Sequence, residues 1–116
     1  METTRQQKIA RLIQKDLGML FQQLGHSTFE GAMITVTKVH VTRDLSLAKI
    51  YLSLFATKNK AELLSKIREH TREIRHQLAA KTKHQLRFVP DLHFFEDDSL
   101  DYIDNIDHLL HNDPAK

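Results

Sequence analysis

Apolar residues recur at steps of three and four along the first stretch of the chain: Ile9, Leu12, Ile13, Leu17, Leu20, Phe21 and Leu24. At about 100° per residue they share one side of a helix, which predicts a helix over residues 4–24. Thr4 followed by Gln7 fits a capping box at its start, and Gly25 is placed to end it. Residues 25–32 read as a loop. Residues 33–41 are rich in β-branched side chains and read as a strand. Its alternation slips near Lys38: Ile34 and Val36 fall on even positions, Val39 and Val41 on odd ones, as a β-bulge would produce. A turn at Thr42–Ser46, with Asp44 as a turn residue, leads to a strand over 47–55 in which Ala48, Ile50, Leu52 and Leu54 point one way. The short connection makes the pair an antiparallel hairpin.

Asn59 with Glu62 three residues later marks another helix start. Leu63, Leu64, Ile67, Ile74 and Leu78 keep helical spacing to about residue 80, with Thr71 in one position of the stripe. The stretch is long for one helix of a small domain, and His70-Thr71-Arg72 is the place for a bend. Residues 86–95 read as a third strand. Pro90 cannot donate to a ladder, so it implies an edge strand or a bulge. Leu100, Ile103, Ile106, Leu109 and Leu110 predict a short helix over 99–110. The order is α-β-β-α(α)-β and a short helix, with the helical stripes expected on one face of a three-stranded sheet.

Composition bounds the fold to one domain. The chain has 116 residues, 41% hydrophobic and 28% charged, and a second core would leave both too small. One domain is expected over residues 4–110, with 111–116 a flexible end. No apolar run approaches the roughly 18 residues of a membrane span, and the N-terminus has no secretory h-region. A soluble, non-secreted protein is therefore expected, and a cytoplasmic location and a monomeric state are expected with it. Cysteine is absent, which excludes disulfides, thiolate nucleophiles and Cys-ligated zinc.

No enzyme signature emerges. The three glycines, Gly18, Gly25 and Gly31, are too scattered for a phosphate-cradling loop or a nucleophile elbow. Asp104, Asp107, His108 and His111 share helical spacing, but no stronger ligand set accompanies them, and a solvated acidic helix is the expectation. No metal, cofactor or catalytic residue is assigned.

Charge is distributed unevenly. Residues 1–90 hold 16 of the 17 Lys and Arg but 7 of the 15 Asp and Glu, a balance of +9; the remainder holds one Lys and eight acids, a balance of −7. A basic body of this kind suits a polyanionic partner. Its cations recur in three places. Arg5, Lys8, Arg11 and Lys15 step along the polar side of the first helix. Arg68, Arg72 and Arg75 do so in the second helical region. Lys81, Lys83 and Arg87 precede the third strand. Such spacing suits a phosphate backbone. Aromatics are only 7% of residues and Trp is absent, which argues against an RRM-type stacking platform. A protein–protein adaptor of the same architecture is the alternative.

Three stretches make the chain resemble the ribosome-binding factor A family. They are the basic helix Arg5–Leu17; the hairpin Ile34–Leu52 with its Asp44-Leu45 turn and Ala48-Lys49 pair; and Ile74-Arg75 together with Arg87-Phe88-Val89-Pro90-Asp91-Leu92, Phe94 and Asp98-Ser99-Leu100. The resemblance runs over roughly residues 4–110. It implies an α+β, type II KH-like domain with a kink between its second and third helices. The family's pattern bends there at Ala-x-Gly, whereas His70-Thr71-Arg72 occupies the corresponding place here. It also implies a non-enzymatic factor that binds the immature 30S ribosomal subunit and 16S rRNA near the 5′-terminal helix. Such a factor assists late maturation and rRNA processing, matters most in the cold, and is released in some bacteria with the help of a ribosome-associated GTPase. Arg43 and Lys49 of the matched hairpin complete the set of candidate RNA-binding residues.

Overall fold

Thr3, rather than Thr4, starts the first helix. In the computed structural model, which describes residues 3–97, the Thr3 hydroxyl accepts from the Gln6 amide at 3.1 Å while the Gln6 side chain accepts from the Thr3 amide at 2.8 Å. The capping box therefore lies one residue before the Thr4–Gln7 pair. The reason is tertiary: Gln6 is buried, and its Nε2 also donates to the Val41 carbonyl at 2.8 Å. Helix α1 runs Thr4–Ser27 and buries Ala10, Ile13, Leu17, Leu20 and Phe21.

Gly25 does not end α1. It lies inside the last turn, where a Cβ would come within 2.5 Å of the Ala32 carbonyl oxygen. The glycine is there for close approach: the loop passes over the helix, and the Gly31 amide donates to the Gly25 carbonyl at 2.7 Å. The reversal itself is made by Glu30 and Gly31, with φ of 55° and 80°.

Strands β1 (Met33–Val41) and β2 (Leu47–Phe55) pair antiparallel, with the expected bulge between Val36 and Lys38. Helix α2 (Lys60–Glu69) is capped by Asn59, whose side chain accepts from the Glu62 amide at 3.0 Å. Helix α3 (Thr71–Thr82) follows after one non-helical residue, His70, at φ −96° and ψ 9°. That conformation is open to any L-residue, so the kink needs no glycine. The His70 ring nitrogen bonds the Lys66 carbonyl at 2.8 Å, and the Thr71 hydroxyl donates to the Arg68 carbonyl at 2.7 Å. The Lys66 carbonyl keeps its backbone partner, the His70 amide at 3.2 Å, so these side chains add a second tie at the break.

Strand β3 (Asp91–Glu96) pairs parallel to β2, the helical crossover α2–α3 supplying the connection parallel pairing requires. It begins five residues later than the apolar pattern over 86–95 indicates. Asp91 lies opposite Leu47, the first residue of β2, so residues before 91 meet the hairpin turn and have no strand to pair with; the first ladder-side bond comes from the Asp91 amide to the Ser46 carbonyl at 2.9 Å. The sheet order β1-β2-β3 makes β3 an edge strand, as Pro90 implied.

Ile34, Val36, Val39 and Val41 of β1, Ala48, Ile50, Leu52 and Leu54 of β2, and Leu92 and Phe94 of β3 line one buried face of the sheet. Ile67, Ile74 and Leu78 join α1 over that face, and Phe21 meets Phe94 edge-on with centroids 5.8 Å apart. The architecture is the expected α+β, type II KH-like one. The expected helix over 99–110, with its Asp/His cluster, lies outside the described residues. Among the described residues, no helix is long and apolar enough to cross a membrane.

Candidate nucleic-acid interface

An edge strand leaves one row of carbonyls without a strand neighbour. Around β3 two arginines from the kinked helices take that place. Arg68 donates Nε and Nη2 to the Phe94 carbonyl at 3.1 and 2.8 Å. Arg75 donates the same two groups to the Val89 carbonyl at 3.3 and 2.7 Å. Their charges stay at the surface: the Arg68 guanidinium lies over the Phe95 ring at 5.9 Å, and Arg75 is 3.6 Å from the exposed Asp91 carboxylate. Each arginine thus braces the helix pair against the edge and places a cation beside it.

Between α2, α3 and the 87–93 segment runs an open groove of about 820 Å³. Arg68, Arg72, Arg75 and Arg87 all line it, facing only Glu69 and Asp91 as acids within the lining. Among the described residues, Arg72 and Arg87 have neither an ion-pair nor a hydrogen-bond partner. A groove with excess guanidinium charge, two members of it uncommitted, suits an anionic chain: guanidinium forks match phosphate oxygens in geometry and charge.

The other candidate cations lie elsewhere. Arg5, Lys8, Arg11 and Lys15 are exposed on α1, away from its buried stripe; Lys15 borders a second, more apolar groove of about 510 Å³ beside β1. Lys81 and Lys83 are exposed at the end of α3, outside the arginine groove. Lys49 pairs in register with His40 and His93, and its neighbours Ala48 and Ile50 are buried, so it stands on the sheet face opposite the helices.

Arg43 stands in the hairpin turn, which Asp44 holds in shape. One Asp44 carboxylate oxygen accepts from the Ser46 hydroxyl at 2.8 Å, the Thr42 hydroxyl at 2.8 Å and the Ser46 amide at 3.1 Å. These donors, Ser46 first, favour the ionised form and draw the Asp44 carboxyl below its ordinary value.

His76, His93 and Phe88 also line the arginine groove and were not among the candidate site residues. Phe88 is 81% exposed, although it sits within an apolar pattern. The register against β2, whose first residue Leu47 lies opposite Asp91, places Phe88 outside the strand and its alternation.

The family model described as "Ribosome-binding factor A" matches residues 5–110. The ribosome-binding factor A of Christiangramia forsetii is 50% identical over 107 residues, covering 91% of this chain and 82% of the relative. That of Flavobacterium johnsoniae is 47% identical over 111 residues, covering 95% and 85%. Among solved structures, the crystal structure of ribosome-binding factor A from Thermus thermophilus superposes with a TM-score of 0.64 at 21% identity, covering 78% of this chain and 94% of that one. A homology model of the Thermus thermophilus protein, fitted into a cryo-electron-microscopy map of its complex with the 30S subunit, gives 0.60 at 22% identity, covering 75% and 89%.

Proposed function

Because the chain belongs to the ribosome-binding factor A family, we propose that it binds the immature 30S ribosomal subunit and assists its late maturation without catalysing a reaction. The arginine groove along β3 is the surface that grips ribosomal RNA. The convergence of Arg68, Arg72, Arg75 and Arg87 on one groove carries this reading. The fit of a related protein into a 30S complex supports the choice of partner. In the finer form of the proposal, the RNA is 16S rRNA in the region of its 5′-terminal helix, and binding assists processing of the rRNA. The protein acts as a cytoplasmic monomer, matters most in the cold, and a ribosome-associated GTPase assists its release. The cations on α1, with Arg43, Lys49, Lys81 and Lys83, extend the basic footprint around the groove.

Phosphate contacts release counterions, so affinity falls steeply with salt, by close to one unit of slope per contact. Binding of the protein to precursor 30S particles across a salt series tests the assignment. The Arg72→Ala/Arg87→Ala double variant should bind more weakly and lose about two units of slope. Unchanged affinity and slope would remove the groove from the interface. Crosslinking in cells, with the RNA sites mapped, tests the choice of 16S rRNA.

A further inference from the structure

Phe88 is the most exposed of the large apolar side chains described, at 81%. Its exposure is built in rather than a product of a loose loop. On one side the Leu86 amide is tied to the Thr82 carbonyl at 2.8 Å. On the other, Val89 is buried in the core, Pro90 is buried beside it, and the Val89 carbonyl is held by both donors of Arg75. Residues 86–89 do not alternate as a strand: Leu86 and Val89 turn inward, Arg87 and Phe88 outward. The segment presents an aromatic ring on a braced backbone, in the lining of a groove that also holds four guanidinium groups.

We infer that Phe88 is a base-stacking platform and that the groove takes an unpaired RNA segment rather than a duplex. The inference rests on the RNA-binding reading above and names the form of RNA. Arg72 and Arg87, the uncommitted cations, engage the phosphates on either side of the stacked nucleotide. A duplex hides the faces of its bases inside the stack and offers an exposed ring no partner; an unpaired base offers a whole π-face. Aromatic rings interleaved with cations are the combination that single-stranded nucleic acid requires. A protein partner would also accept the ring. The unpaired arginines around it favour a polyanion, and the pinned backbone spares the ordering cost of presenting it.

The test uses the full chain, a short unpaired oligoribonucleotide and a duplex of the same length, with binding read by fluorescence anisotropy. Phe88→Ala should weaken binding of the unpaired strand by roughly 10-fold or more. It should leave the salt slope unchanged, because the ring carries no charge, and leave duplex binding unchanged. Phe88→Tyr should restore affinity; Phe88→Leu should not, since bulk without a π-face does not stack. Replacing the bases by abasic sites should erase the difference between wild type and Phe88→Ala. An effect of Phe88→Ala within twofold, or full rescue by leucine, overturns the inference. So does a loss seen only with whole 30S precursors and not with free RNA, which would place the ring against a protein. If Arg72→Ala/Arg87→Ala loses affinity and slope while Phe88→Ala is silent, the RNA-binding reading survives and this one fails. Absence of RNA binding by the wild-type chain overturns both.

Discussion

Gln6 in α1 and Val41 at the end of β1 are joined by a buried hydrogen bond, Nε2 to carbonyl, at 2.8 Å. Farther along the same strand, Gln14 donates to the Val36 carbonyl at 3.2 Å. Strand β1 is one edge of the sheet, and helix glutamines satisfy its carbonyls; β3 is the other, and Arg68 and Arg75 satisfy the carbonyls at that side. Both edges of a three-stranded sheet, otherwise open to pairing with other chains, are thus bonded to helix side chains.

Gln6→Leu is expected to lower stability by about 1–3 kcal/mol, because it strands the Val41 carbonyl in a site where Gln6 is only 4% exposed. Gln14→Leu, at a half-buried site, should cost less. Urea unfolding of the two variants measures the difference; equal effects would show that burial does not set the cost.

Two glycines of the same helix should respond oppositely to alanine. At Gly25 the added methyl meets backbone at Ala32, which cannot swing aside as a side chain would. A loss of about 1–3 kcal/mol is expected. At Gly18 nothing lies within 4 Å of the added atom, and alanine should stabilise the helix by about 0.5–1 kcal/mol. Thermal melts of Gly25→Ala and Gly18→Ala should move in opposite directions.

Arg72 and Arg75, three residues apart, divide binding from structure. Arg72→Ala should leave stability within about 0.5 kcal/mol of wild type and remove about one unit of salt slope in binding to 30S precursors. Arg75→Ala should lose about 1 kcal/mol of stability as well, since its two bonds to the Val89 carbonyl vanish from a half-exposed site. Parallel unfolding and binding measurements on both variants check the division.

The Asp44 carboxyl should titrate below its ordinary value in the folded chain, followed by NMR of its side-chain carbon. Its folded pKa is depressed by the Ser46 and Thr42 donors, so its contribution to stability is present above the unfolded pKa and fades as pH falls through the folded one. The group is solvent-exposed, so the effect on the whole fold is small. It should appear as a difference between wild type and Asp44→Ala that narrows in acid; a constant difference would mean that the charge contributes nothing.

Much of the fold was legible because periodicity is a local property. The stripes of α1, α2 and α3, the β1 bulge, the Asn59 cap and the edge placement of β3 each follow from residues within a few positions of one another. The function class was legible through charge asymmetry and the resemblance of the Arg87–Phe94 stretch. The site was only partly so: spacing gave ten of the twelve candidate cations equal standing, the resemblance added Arg43 and Lys49, and Phe88 was absorbed into an apolar run.

The order and type of the elements were determined by the sequence itself, because backbone conformation answers to neighbours along the chain. Tertiary structure decided the rest. It chose Thr3 over Thr4 as the cap, through a carbonyl 35 residues beyond Gln6. It made Gly25 a point of contact instead of a terminus. It committed Arg68 and Arg75 to the β3 side while leaving Arg72 and Arg87 open, and it turned Phe88 outward. Each of those outcomes depends on where the packing of helices, loops and sheet places groups that are not neighbours along the chain, and local periodicity does not encode that.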